Sequence, residues 1–176
     1  MPGLFVAVWP PDEVLDRLTE LPRREADGLR WTEREQWHVT LRFLGPVDDV
    51  APVVEALAGV GGLVGPASAV MGPAVGRFGP RILQVPVAGL DDIAAAVVGA
   101  TAHLGKPPDD RRFSGHVTLA RVARNAKADL RSLTGASVEA EWDVGDVCLV
   151  ESRLSPKGAR YEVVERFGLA RRPGPA

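Results

Sequence analysis

Few of the residues that announce a chemistry are present in this chain. Cysteine occurs once, at Cys148, which removes intramolecular disulfides and cysteine-ligated zinc and suits a reducing compartment. Histidine occurs three times, at His38, His103 and His116, with no HxxxH or HExxH spacing among them, so neither a metal nor any other cofactor is expected. There is no Gly-x-x-x-x-Gly-Lys-Ser/Thr loop, so ATP binding has no sequence support. No apolar run reaches the ~18 residues of a spanning helix. Met1 to Val8 lacks the basic region and long apolar stretch of a secretory signal. These absences lead us to expect a cytoplasmic protein without membrane contact. Neither sign of charge dominates either: 21 basic against 23 acidic side chains leave a net charge of -2. No global field therefore favours a long polyanion, and any nucleic-acid contact must be local.

What remains is an ordinary globular composition, 45% hydrophobic and 25% charged over 176 residues, enough for one compact domain or two small lobes. Leu4 to Trp9 is an apolar run stopped by Pro10 and Pro11, as a buried strand would be. Val14, Leu15, Leu18 and Leu21 then follow a helical period, with Asp12 as N-cap and Pro22 near the end. Trp37 to Leu44 reads as a strand, and Val50, Val53, Val54 and Leu57 as a helix. Gly61 to Pro80, rich in Gly and Pro, predicts irregular strands or a hairpin. Ile82 to Val87 reads as a strand, Ile93, Val97, Ala100 and Leu104 as a helical stripe, and His116 to Val122 as a strand. A short helix around Ala126 to Leu133 and strands near Ser137 to Trp142, Asp146 to Val150 and Tyr161 to Phe167 complete the pattern. The class expected is α+β, with residues 1–170 forming a single bilobal domain and 171–176 a frayed tail.

The order strand, helix, strand occurs twice. Leu4 to Ile82 is a step of 78 positions, His38 to His116 is also 78, and the helices between agree within about a residue. Chance could supply two HVTL tetrapeptides, at His38 to Leu41 and His116 to Leu119, but not readily a whole repeated unit. Two related lobes are inferred.

Alternation along a strand places His38, Thr40 and Arg42 on one face and Val39, Leu41 and Phe43 on the other, the apolar face seeking the core. An imidazole, a hydroxyl and a guanidinium in a row form a grip for a phosphate. His116 and Thr118 repeat the arrangement, but Ala120 replaces the arginine and Arg121 falls on the alternate parity. Across an approximate two-fold the two polar strips face one cleft. One neutral imidazole can then take a proton from water while the other, protonated, donates to a departing oxygen. The threonines and Arg42 or Arg121 stabilise the non-bridging oxygens. A lone histidine in a strand is ordinarily structural, and duplication is what favours catalysis. His103 has Glu25 at its matching position and reads as structural. Phe5, Trp9, Trp31, Trp37 and Phe113 are the candidates for stacking on a base, against core packing as the ordinary role of most. Lys106, Arg111 and Arg112 offer local positive charge shortly before His116, or a solvated loop.

The segments Leu4 to Val8, Trp37 to Gly45, His116 to Arg121 and Leu149 to Tyr161, with Ser152, Leu154, Gly158 and Tyr161 in the last, together resemble the 2H phosphoesterase superfamily. Within it they are most similar to the bacterial and archaeal RNA 2′,3′-cyclic phosphodiesterases, also called 2′-5′ RNA ligases. The resemblance implies a bilobal fold of antiparallel sheets and flanking helices with both histidines in a central groove. It also implies hydrolysis of a 2′,3′-cyclic phosphate at an RNA end to a 2′-phosphomonoester, without metal or ATP, and the reverse 2′-5′ joining. In such enzymes the first histidine is assigned as acid, the second as base, and an arginine five residues after the second histidine, here Arg121, joins the phosphate site. Phe5 is the aromatic that neighbours the first histidine strand. Gly115 departs from the family, in which proline commonly precedes the second histidine. Two other functions stay open at this point, a phosphodiesterase for a small cyclic phosphate of a nucleotide or ADP-ribose and a non-catalytic binder of RNA ends. A monomer without an obligate protein partner is expected.

Overall fold

A computed structural model describes residues 2–170; the expected tail, 171–176, lies outside the described residues. Its organising strand is the first apolar run. β1 (Gly3–Val8) is buried on both faces apart from Gly3. Leu4, Val6 and Val8 enter the main core, whereas Phe5 and Ala7 join Cys148 and Val150 in a second, smaller cluster edged by Trp9 and Tyr161. A run apolar at every position is what a strand covered on both sides requires.

Pro11 caps the start of α1 (Asp12–Thr19), so Asp12 is the first helical residue and not the N-cap. α1 buries Val14, Leu15 and Leu18, α2 (Ala51–Ala58) buries Val53 and Leu57, and α3 (Asp91–Thr101) buries Ile93, Ala94 and Val97. All of these side chains join the core that contains Leu4, Val6 and Val8, so the helices cover one face of the sheet. The opposite face carries the smaller cluster around Phe5 and Cys148, and beside it the polar side chains of the two histidine strands, here called the groove face.

The remaining strands are β2 (Leu29–Trp31), β3 (Val39–Pro46), β4 (Ala67–Met71), β5 (Gly76–Phe78), β6 (Ile82–Ala88), β7 (His116–Val122), β8 (Ala140–Val144), β9 (Asp146–Ser155) and β10 (Gly158–Gly168). They form an antiparallel sheet in the order β10-β9-β1-β3-β7-β6-β4-β8, with β2 added to β7 and β5 to β6. The fold is α+β. Gly61 to Pro80 does contain two short strands, although they pair with β6 and β8 and not with each other. Between Ala126 and Leu133 only a 3-10 turn forms, Leu130–Leu133, capped by the Asp129 carboxylate.

The repeat is visible in the register. β3 and β7 meet through one pair, Val39 opposite Val117, residues 78 apart, so the approximate two-fold passes beside them. On either side the pairing matches: Phe5, Val6, Ala7 and Val8 face Phe43, Arg42, Thr40 and Val39, while Ile82, Leu83, Gln84 and Val85 face Arg121, Ala120, Thr118 and Val117. The upstream strands are thus related by 77 positions, not by the 78 expected from Leu4 and Ile82. The match includes a defect, because Leu41 and Leu119 are each an extra residue in their strand, a β-bulge at the same place in both halves.

Candidate active site

Each bulge reverses the side-chain parity beyond it. Thr40 lies opposite Ala7 on the groove face, but Arg42 lies opposite Val6 on the core face, so the expected row of His38, Thr40 and Arg42 is broken. Arg42 is 5% exposed and donates to the Phe43, Leu104 and Lys106 carbonyls. Burial lowers its pKa from the ordinary guanidinium value. It pins a loop and does not stand in the phosphate strip. By the same reversal Phe43 turns into the groove, half exposed, and Arg121 joins His116 and Thr118 on their face while Ala120 goes inward. Equivalent positions in the two halves therefore hold Phe43 and Arg121.

His38 stands immediately before β3 and His116 opens β7, and the two are held alike. His38 Nδ1 lies 2.7 Å from the Gln36 carbonyl and His116 Nδ1 lies 2.9 Å from that of Ser114, each two residues back. A carbonyl only accepts, so Nδ1 carries the proton in both rings and Nε2 is the working nitrogen. Thr40 Oγ1 sits 3.0 Å from His38 Nε2 and donates to it when the ring is neutral.

Their surroundings differ. Phe5 and Trp9 lie against His38 at centroid distances of 5.0 and 5.1 Å, and Tyr161 meets it edge-on at 5.1 Å. Burial in this cage lowers the His38 pKa to about 4; the Gln36 hydrogen bond opposes the shift, and the charges of Arg121 and His116 add to it. His116 instead stacks on Phe78, 4.7 Å away and tilted by 17°. Burial raises the Tyr161 phenol, with Arg121 acting in the other direction. Both His38 and Tyr161 thus feel Arg121, which ties the phosphate-binding candidate of the second half to the caged histidine of the first.

Of the residues singled out from sequence, His38, Thr40, His116, Thr118 and Arg121 share the groove face. Phe5 is there too, but at 4% exposure it walls His38 and offers no free stacking surface. Trp37 is fully buried, its indole N–H donating to Thr32, and His103 lies exposed beyond the end of α3. Sequence reasoning missed Phe43, assigned to the core by simple alternation, and Phe78, inside the Gly- and Pro-rich stretch. It also missed Gln84, which faces Thr118 with its Oε1 buried and unpartnered. Its place as the lone polar residue in the apolar run Ile82 to Val87 was the one signal available. Among the described residues no three His, Cys, Asp or Glu side chains cluster as metal ligands.

The pattern of the 2′-5′ RNA ligase superfamily matches residues 10–155, which include both histidine strands and both bulges. The chain belongs to this superfamily. An RNA 2′,3′-cyclic phosphodiesterase of Geobacillus stearothermophilus is 33% identical over 96% of the chain, which spans 58% of that longer relative. One from Thermus thermophilus is 30% identical, with 94% of this chain and 89% of the relative aligned. A crystal structure of a Thermus thermophilus protein superposes with a TM-score of 0.76 at 28% identity, covering 95% of this chain and 97% of the other.

Proposed function

We propose that the protein hydrolyses 2′,3′-cyclic phosphate ends of RNA to 2′-phosphomonoesters, with His38 and His116 as the proton-transferring pair. The observation that carries this reading is the meeting of two equivalent His-x-Thr strands at Val39 and Val117, which brings two identically tethered imidazoles to one groove face. The relatives named as RNA 2′,3′-cyclic phosphodiesterases support the substrate.

A water oxygen attacks phosphorus, the bond to the ribose 3′-oxygen breaks, and the phosphate stays on the 2′-oxygen. One imidazole Nε2 accepts the water proton and the other supplies a proton to the leaving 3′-oxygen. Thr40, Thr118 and Arg121 hold the non-bridging oxygens as charge develops on them. With its pKa lowered to about 4, His38 rests neutral at physiological pH and is ready to accept a proton. This favours His38 as base and His116 as acid, the reverse of the assignment the resemblance implies. With a 5′-hydroxyl attacking phosphorus in place of water, the same groups would take up its proton, release the 3′-oxygen as a hydroxyl, and join RNA ends through a 2′-5′ linkage.

The deciding experiment is incubation of a short oligoribonucleotide ending in a 2′,3′-cyclic phosphate, with chelator present, followed by identification of the product. A 2′-phosphate is expected; a 3′-phosphate or no turnover refutes the proposal. His38→Ala and His116→Ala should each lower kcat/KM by at least ~10²-fold. Bis(p-nitrophenyl) phosphate assigns the roles, because its leaving group departs unprotonated: His116→Ala should retain most activity on it and His38→Ala should not.

A further inference from the structure

Two recesses flank the histidine strands and are lined by equivalent segments of the two halves. One, of about 500 Å³, lies between the segment before His38 and Arg121, and is lined by Arg30, Gln36, Lys157 and Tyr161. The other, of about 590 Å³, lies between the segment before His116 and Phe43, and is lined by Phe78, Lys106, Arg111 and Arg112. The segments are equivalent in the repeat but are built differently. Residues Leu29–Trp31 pair with β7 as β2 and close over it, whereas residues 107–114 form no strand on β3, and Phe43 is left 51% exposed with Phe78 at 39%.

This second recess is fixed in place. Lys106 N–H donates to the Leu44 carbonyl at 2.8 Å, and buried Arg42 holds the carbonyls of Leu104 and Lys106. Gly45 and Gly105, at φ +70° and +63°, let the loop lie directly on β3, where any Cβ at Gly105 would strike the Leu44 carbonyl. The Lys106 ammonium sits 5.4 Å from the Phe43 ring centre. Arg111 is loosely matched with Asp109 at 4.0 Å, and Lys106 and Arg112 have no carboxylate partner among the described residues. Exposed aromatic rings beside unneutralised cations, in a recess that adjoins His116 through Phe78 and Ser114, are the parts of a single-strand nucleic-acid platform.

We propose that this recess binds the RNA strand immediately 5′ of the cyclic phosphate, with a base against Phe43 and Phe78 and a backbone phosphate against Lys106 and Arg112. The proposal rests on the hydrolase reading and adds to it the residues that hold the strand behind the cyclic end. Stacking of one base on an aromatic surface, together with a phosphate contact, predicts a preference of about tenfold or more in kcat/KM for an oligomer.

The test compares a pentaribonucleotide ending in 2′,3′-cyclic phosphate with uridine 2′,3′-cyclic monophosphate. In the unaltered protein the oligomer should win by at least about tenfold, and in Lys106→Ala/Arg112→Ala and in Phe43→Ala the ratio should collapse toward one. An equal preference for the two substrates, or a ratio unchanged by these substitutions, overturns the proposal. A 2′-phosphate-ended fluorescent pentaribonucleotide, followed by anisotropy, gives a readout independent of turnover. If neither substrate is cleaved, the hydrolase reading fails. The recess then stands if the oligomer binds and Lys106→Ala/Arg112→Ala weakens it about tenfold, and falls if it does not.

Discussion

At the scale of single residues, the aromatic cage around His38 makes stability depend on pH. Its pKa drops from an ordinary 6.5 to about 4 because Phe5, Trp9 and Tyr161 exclude water from the ring. The unfolded chain, with His38 near its ordinary value, binds more protons between these two pH values, so stability must rise with pH across that window and be lost as pH falls through it. A shift of this size corresponds to roughly 3 kcal/mol as an upper figure. Urea unfolding of the wild type should therefore lose stability from about pH 6.5 down to about pH 4, and His38→Gln should flatten that part of the slope. An unchanged slope in the variant would show that the cage does not penalise the imidazolium. Arg42 is the contrasting residue. Since its guanidinium satisfies three backbone carbonyls, Arg42→Ala should lower stability by about 2–3 kcal/mol through buried, unpaired acceptors, seen as a lower Tm. If Arg42→Ala instead raised KM while leaving Tm alone, its removal from the phosphate strip would be mistaken.

At the scale of elements, much of the fold was legible because apolar period and turn residues agreed: β1, β3, β6, β7 and the three helices follow from them. The repeat was legible too, since a common step survives divergence of individual residues. The bulges were not. One extra residue in a strand leaves no mark on composition, yet it decides which of Arg42 and Phe43, or Ala120 and Arg121, enters the groove. Strict alternation therefore gave the right face to His38, Thr40, His116 and Thr118, all before the bulges, and the wrong face to Arg42 and Phe43 beyond one of them. The Ala126 to Leu133 segment misled differently, because its apolar residues suggested a helix where the chain makes only a 3-10 turn. The loop before His116 offers a test at this scale. Gly105 combines a left-handed φ with backbone contact to Leu44, so Gly105→Ala should cost at least about 1 kcal/mol and reduce the oligonucleotide preference together with the Tm.

At the scale of the whole molecule, the halves are interlocked and not merely joined. β4 follows β3 in the chain but pairs with β6 and β8 of the second half, and β9 follows β7 but pairs with β1 of the first. Neither half completes its sheet from its own sequence repeat. Calorimetry should therefore show one transition, with calorimetric and van't Hoff enthalpies in agreement; two resolved transitions would mean that the lobes fold separately. The near-neutral charge belongs to this scale as well. With a net charge of -2 and only a few cations lining the recesses, oligonucleotide binding should weaken only modestly with salt, with a log–log slope of about -1 to -2 for two or three phosphate contacts.

The meeting of Val39 with Val117 carries one further consequence. A chain of half this length, with one histidine strand and one crossing strand, could finish its sheet only on a second copy of itself. Such a dimer would present two imidazoles in identical surroundings. Here, fusion into a single chain lets the mates diverge: Phe43 from Arg121, Ala7 from Gln84, a caged histidine from a stacked one. Covalent continuity is thus what lets equivalent positions hold different residues.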